Sequence, residues 1–304
     1  MKRVTTGYFT KIVNTTDAFY KLSEEEHIEL QKCLFEIYLD VARICKKYNL
    51  CFFLCGGSAL GAVRHQGYIP WDDDLDMFMP REDYNKLIQV FDKELSDKYQ
   101  ISVPCIELES NEPFMEIIKK NTLMYRVYSN KNNKNGIRID ILPVDNAPTN
   151  KYKRKIVARI ADTMRLIIAC KNTYINKNAL YKQCLMTSFK MKLHFYARYF
   201  IGMSFSFVSR QYVVDLFNRF TANIKGDKYV TVPMGSKYYL GEVLPREVFF
   251  PPKAGMFNGI EVPIPNDVHT YLTNLYGNYM QLPPEEERVG LHCIVDFSFD
   301  TTKK

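Results

Sequence analysis

Apolar positions recur along this chain with two periods, and the switches between them mark the elements. Ser23-Glu24-Glu25-Glu26 forms a capping box, with Ser23 as N-cap and Glu26 reaching back to it. Behind it Leu30, Leu34, Ile37, Val41, Ile44 and Cys45 share one helical face, which predicts a helix to about Lys47. The apolar run Cys51 to Cys55 reads as a short buried strand. Gly56-Gly57 then turns the chain, and Ser58 to Arg64 has helical composition. From Asp72 to Met79 acids alternate with apolar residues at strand period; Pro80 ends that strand, and a helix follows over Glu82 to Leu95. Further strands are expected at Ile101 to Leu108, Met115 to Ile118, Leu123 to Tyr128 and Ile137 to Leu142. The turn-rich segment Asn130 to Gly136 predicts a hairpin between the last two. Residues from Asn150 to about Lys225 read as helical, basic and aromatic. Pro and Gly then become frequent as far as Pro265, which reads as loop, before a helix near Asp267 to Tyr276.

Composition narrows the class. With 304 residues, 46% of them apolar, the chain can bury a large core, and 20 Phe with 21 Tyr exclude disorder as the dominant state. The eight cysteines lie mostly in apolar segments and form no CxxC, so they are expected to be reduced thiols of a cytoplasmic protein. The N-terminal residues carry positive charge without an apolar run behind it, unlike a signal peptide, and Tyr199 to Val208 is too short for a membrane span. The net charge of +7 hides a split. Residues 151–228 hold 16 Lys/Arg against Asp162, Asp215 and Asp227, whereas the remainder holds 25 Lys/Arg and 31 Asp/Glu. A basic middle inside an acidic body suggests that the middle faces something anionic. No nucleic-acid recognition motif accompanies the charge.

The chemistry concentrates between Cys55 and Tyr84. On a strand, Leu75, Met77 and Met79 share the core face while Asp72, Asp74 and Asp76 share the other. Carboxylates this close raise each other's pKa unless a cation lies between them, and hard oxygen ligands select Mg²⁺ or Mn²⁺. In Gly136 to Pro143, Arg138 and Asp140 share the face opposite the isoleucines. If that strand lies beside the Asp74 strand, Asp140 completes a three-carboxylate cluster. Gly57 and Ser58 offer N–H groups and a hydroxyl at a helix N-terminus, which suits phosphate. Metal, phosphate and base together perform phosphoryl-group transfer. Such an acid run is also compatible with a solvated loop or with the D-x-D of a glycosyltransferase. A calcium loop is excluded, because Met77 stands where an EF-hand needs Gly.

The stretch Cys55 to Tyr84, with Gly-x-Val-Arg-His followed by Trp-Asp-Asp-Asp-x-Asp, resembles the signature of the LicD phosphotransferases, a nucleotidyltransferase-like branch that includes fukutin-related proteins. The likeness continues through Ile139 to Asp145 and returns in Phe257 to Pro265, Tyr271-Leu272, Tyr276 to Met280, Leu282-Pro283-Pro284 and Arg288, skipping the basic middle. It implies an α/β (α+β) fold, a nucleotidyltransferase-like mixed-sheet core over 1–149 completed by 226–304, with a helical basic insertion at 150–225. It further implies transfer of phosphocholine, or another phospho-alcohol, from a CDP-activated donor (CDP-choline favoured) with release of CMP. The acceptor would be a hydroxyl of a cell-surface glycan, such as teichoic acid or lipopolysaccharide, or its lipid-linked precursor. Asp74, Asp76 and Asp140, with Asp72 beside them, would hold Mg²⁺ or Mn²⁺, and Asp140 would activate the acceptor. Asn278 departs from the Asp that the resemblance leads one to expect.

Gly57, Ser58, Arg64, Trp71, Arg138, Tyr276 and Arg288 complete the expected substrate contacts. Arg64 could instead pair Asp73, Arg138 could tune Asp140, and Trp71 could either cage a quaternary ammonium or simply pack. Arg126, Lys119 and Lys120 are further phosphate candidates. The basic insertion suits peripheral contact with the inner face of a membrane as well as it suits a solvated helical face. Two rival activities remain: a nucleotidyltransferase releasing pyrophosphate from an NTP, and a non-catalytic nucleotide- or glycan-binding module.

Overall fold

The computed structural model describes residues 19–104, 112–129, 134–176, 178–186, 188–288, 290 and 293–302. Helix α1 (Glu24–Lys47) begins at the expected capping box: the Glu26 N–H donates to Ser23 Oγ at 3.1 Å, and the Ser23 N–H donates to Glu26 at 2.9 Å. Its stripe of Leu30, Leu34, Ile37, Val41 and Ile44 is completely buried, each side chain contributing about 1.5–3 kcal/mol of burial free energy. Strand β1 (Phe53–Leu54) leads directly into α2 (Gly56–Arg64). Strand β2 (Asp76–Pro80) and helix α3 (Arg81–Glu94) follow, then β3 (Tyr99–Ser102), β4 (Met115–Lys119), β5 (Leu123–Arg126) and the ten-residue β6 (Arg138–Ala147).

One mixed sheet, in the order β1-β2-β6-β4-β3, organises these strands. Strand β6 is central. It runs parallel to β2 and antiparallel to β4, while its last residues, Asp145 to Ala147, pair with β7 (Tyr229–Thr231), which in turn pairs with β8 (Leu244–Pro245). The architecture is therefore α/β with a curled mixed sheet. The C-terminal third adds a hairpin, β9 (Lys253–Phe257) with β10 (Ile260–Ile264), where the Pro and Gly content predicts loop. Gly259, at φ 80°, supplies the positive φ its turn requires.

Three expectations need correction. The acid run is strand only from Asp76; before it the Asp72 N–H turns back to the Ile69 carbonyl, so Asp72 and Asp74 arrive through a bend rather than a pleat. Strand β3 begins at Tyr99 and ends at Ser102, and the rest of the expected strand, 105–108, lies outside the described residues. Strands β5 and β6 form no hairpin. Both edges of β6 are taken by β2 and β4, so β5 pairs with β11 (Ile294–Ser298) in a separate two-stranded sheet.

Between β6 and β7 the chain is helical: α4 (Lys151–Ile175), α5 (Ala179–Leu185), α6 (Phe189–Ser204) and α7 (Arg210–Ala222). Asn150, Asn178, Ser188 and Ser209 cap their N-termini through side-chain oxygens. Helices α4 and α6 pack against each other closely at Gly202, where a Cβ would stand 2.3 Å from the Cys170 carbonyl oxygen. Arg81 clamps this segment to the core. Its guanidinium forms two 2.7 Å bonds to Asp145 of β6 and reaches Asn218 of α7 at 3.4 Å. Helix α8 (Val268–Tyr276), N-capped by Asp267, then packs beside α2. Among the described residues, no helix is long and apolar enough to cross a membrane.

Candidate active site

The site forms where β1 gives way to α2. The Cys55 N–H donates to the Asp76 carbonyl (3.1 Å), holding the end of β1 against β2. Gly56 takes φ 52° and donates its N–H to the Tyr271 hydroxyl at 2.9 Å. A Cβ at Gly57 would stand 2.7 Å from Asp72 Oδ2, and one at Gly56 would stand 3.4 Å from Asp76 Oδ2. The two glycines thus bring bare main chain against two carboxylates, at the N-terminus of a helix with no acidic residue in its first turn.

Strand register builds the rest. Asp76 lies opposite Asp140, and Asp140 lies opposite Glu116, so three acids stand in one row across β2, β6 and β4. Directly paired residues on neighbouring strands point to the same face at about 5 Å spacing, so the row is a single acidic surface. Asp140 and Glu116 are buried, and among the described residues Asp140 Oδ1 and Glu116 Oε2 have no hydrogen-bond partner. Burial raises the Asp140 carboxyl to about 7; Glu116 and Glu112 add to the rise, while Arg126 and Arg138 oppose it. Asp72 is also held well above the ordinary carboxyl range, first by burial, then by Asp74 and Asp73, with a hydrogen bond to Asp74.

Two arginines face this row. Arg138, 1% exposed, donates to Glu116 Oε1 (3.0 Å) and to the carbonyls of Gly136 (3.1 Å) and Met124 (2.8 Å). All three arms of its guanidinium are spent inside the protein, so the expected substrate contact gives way to a scaffold position. Arg126, at the end of β5, is buried beside Asp140, Glu116 and Asp73, and among the described residues its Nε has no hydrogen-bond partner. Burial lowers its pKa, but the neighbouring acids and Tyr128 outweigh that and leave it raised.

The other expected contacts divide. Ser58 is buried, and its Oγ accepts from the Asp76 N–H at 2.9 Å, bracing the start of β2 rather than opening toward a ligand. Arg64 donates to the Tyr279 carbonyl at 2.8 Å instead of pairing Asp73, and so ties α2 to the C-terminal wall. Tyr276, half exposed as a residue, brings its hydroxyl to 3.9 Å from where a Gly56 Cβ would be, and desolvation of that hydroxyl together with Asp72, Asp76 and Asp74 raises its pKa. Trp71 packs edge-on to His65, and its ring face is covered by Arg288, 5.8 Å from the centroid. Lys119 is committed to Glu36 at 2.6 Å. Two site residues were not anticipated, Glu116 and Tyr271. An acid inside the apolar strand Met115 to Ile118 was a legible signal for Glu116; Tyr271 was marked only by the family likeness of Tyr271-Leu272, which assigned it no role.

A divalent cation suits the donors in kind. The oxygens are hard, Asp140 Oδ1 is buried without a partner, and the contact between Asp72 and Asp74 holds two carboxyls together that a cation would separate. The cage is not preassembled: among the described residues, no three Asp, Glu, His or Cys side chains converge to hold one ion.

A mixed sheet thus carries paired carboxylates beside a glycine-opened helix. Residues 49–165 match the LicD/FKTN/FKRP nucleotidyltransferase domain. The chain is 26% identical over 273 residues, 82% of its own length and 89% of the relative's, to the lipopolysaccharide cholinephosphotransferase LicD of Haemophilus influenzae. It is also 39% identical to an uncharacterized protein of Rickettsia typhi over 64 residues (21% of this chain, 19% of that one). An uncharacterized protein of Rickettsia prowazekii is 37% identical over 71 residues (23% and 25%). By these matches the chain is similar to the LicD family, whose nucleotidyltransferase-domain model covers residues 49–165.

Proposed function

We propose that this protein transfers phosphocholine, or a related phospho-alcohol, from a CDP-activated donor to a hydroxyl of a cell-surface glycan or its lipid-linked precursor, releasing CMP. The observation that carries this reading is the row Asp76–Asp140–Glu116 beside the glycine-opened start of α2. It stands in a chain similar over most of its length to a cholinephosphotransferase.

The first-turn N–H groups of α2 suit the donor phosphates, and Tyr276 closes that side. The acceptor oxygen attacks phosphorus, the bond to CMP breaks, and Asp140 takes the hydroxyl proton at its unpartnered Oδ1. Arg126 offsets negative charge beside it. Asp74, Asp76 and Asp140, with Asp72 alongside, would hold Mg²⁺ or Mn²⁺, which when bound neutralises charge on the diphosphate and the departing CMP. The seven described cysteines are free thiols, mostly buried, which supports a cytoplasmic location.

Calorimetric titration with CDP-choline, CDP-ribitol, CDP-glycerol and CTP, with and without Mg²⁺, tests the reading on wild type and Asp76→Asn/Asp140→Asn. Mg²⁺-dependent binding of one CDP-alcohol, lost in the variant, with CMP as the product of turnover, is the expected result. Binding of CTP alone with pyrophosphate release would replace it with the nucleotidyltransferase reading. Binding of a donor or glycan with no turnover would replace it with the binding-module reading.

A further inference from the structure

Helix α6 carries apolar residues both on its buried face and on a face turned to solvent, with Lys190 and Lys192 beside the latter. Met191, Phe195 and Gly202 are buried against the rest of the protein, as its packing on α4 requires. The opposite face carries Phe189, Leu193, Tyr196, Phe200 and Met203, and the stripe continues to Phe207 in the turn that follows. The spacing of four, three, four, three and four places these side chains in one line along the helix. They are far from marginal: Phe189 is 85% exposed, Leu193 64% and Phe207 82%. An exposed apolar line of this length marks an interaction surface. At its C-terminal end the line reaches an apolar groove of about 430 Å³ between α4 and α7, lined by Ile160, Met164, Ile167 and Phe205 with Arg159 at its edge.

Charge identifies the partner. From Thr163 to Val214 the chain contains no Asp or Glu, and the exposed Lys182, Lys190 and Lys192 accompany the apolar line. Among the described residues, none of these three forms an ion pair. A second copy of this face would set like charges against each other, and an aqueous polyanion would leave the phenylalanines uncovered. A surface that is anionic outside and apolar beneath satisfies both features. Spanning is excluded by length: 16 helical residues reach about 24 Å, short of the roughly 30 Å hydrocarbon core, so the helix would lie in the plane of the interface.

We infer that the exposed face of α6, continued by Phe207, docks this protein on an anionic lipid bilayer, the apolar line entering the acyl boundary and the flanking lysines meeting the headgroups. This docking is independent of the reaction assigned above.

Vesicle flotation tests it, using wild type, Phe189→Ser/Leu193→Ser/Phe200→Ser, and Lys190→Glu/Lys192→Glu, with vesicles of phosphatidylglycerol mixed with phosphatidylcholine or of phosphatidylcholine alone. Wild type should float with the anionic vesicles and much less with neutral ones. The serine variant should bind at least about tenfold more weakly, and the charge-reversed variant should also weaken. Circular dichroism of the variants should match wild type, because every substituted side chain is exposed. Three results would each overturn the inference: no flotation with anionic vesicles; flotation unchanged in the serine variant, which would mean non-specific attraction of surface lysines; or a wild-type dimer by light scattering that the serine variant abolishes, which would make a second copy the occupant.

Discussion

Asp76, Asp140 and Glu116 stand together on one face of the sheet, with Arg126 and Arg138 beside them, whereas the helices between Thr163 and Val214 carry positive charge alone and expose Lys182, Lys190 and Lys192 to water. The sheet keeps its charges on rigid, paired backbone, where desolvation magnifies every interaction. The helical segment spreads its charge beside exposed aromatics, where each ion pair or lysine is worth little by itself. Like charges held in place can act at a defined point on a substrate. Like charges spread over a face can recognise only a surface.

If this contrast holds, substitutions in the two regions should fail in different ways. Breaking the buried Arg138–Glu116 pair with Arg138→Leu strands a buried carboxylate and should cost about 3–5 kcal/mol in urea unfolding, with activity lost through instability. Asp76→Asn or Asp140→Asn should cut turnover about 10²- to 10³-fold while leaving the melting temperature unchanged or raised, because each removes repulsion from the row. For metal-free protein, the sign of the pH effect follows from Asp140: its folded pKa, about 7, lies above its unfolded value. The folded state therefore binds the proton more tightly, and stability should be greatest below the ordinary carboxyl range and decline as pH rises toward 7. Asp140→Asn should flatten that decline in thermal melts across pH 4 to 8.

Gly57→Ala sharpens the comparison at a single atom. The added methyl would press on Asp72 at 2.7 Å, costing about 1–3 kcal/mol and donor affinity together. The smallest expected effect lies on α6. Phe189→Ser/Leu193→Ser/Phe200→Ser should alter urea stability by no more than about 0.5 kcal/mol per site and leave turnover of soluble substrates intact, while vesicle binding falls. A large loss of stability there would show that the line is covered within the protein and would dissolve the contrast.

Much of this was legible in local pattern. The capping box and apolar stripe of α1, the acids ahead of Pro80, and the exchange of apolar and charged faces from Ile137 to Leu142 are all properties of neighbouring residues. They need only helical or strand periodicity to be read. The charge reversal of the middle segment was equally a matter of composition.

Pairing across the chain was a different matter. Asp76 meets Asp140 because β2 and β6 run parallel in one register, and Glu116 joins them because β4 pairs with the other edge of β6. The same occupancy sends β5 away to β11, near the opposite end of the sequence. Whether a polar side chain meets a ligand or the scaffold was decided there too. Ser58 and Arg138 have the residue types of phosphate contacts, yet tertiary packing brings the Asp76 amide to one and the Glu116 carboxylate to the other. Periodicity specifies which face a side chain takes, since that depends on its own backbone. What stands opposite it depends on competition among distant strands for the same edges, which only the assembled sheet resolves.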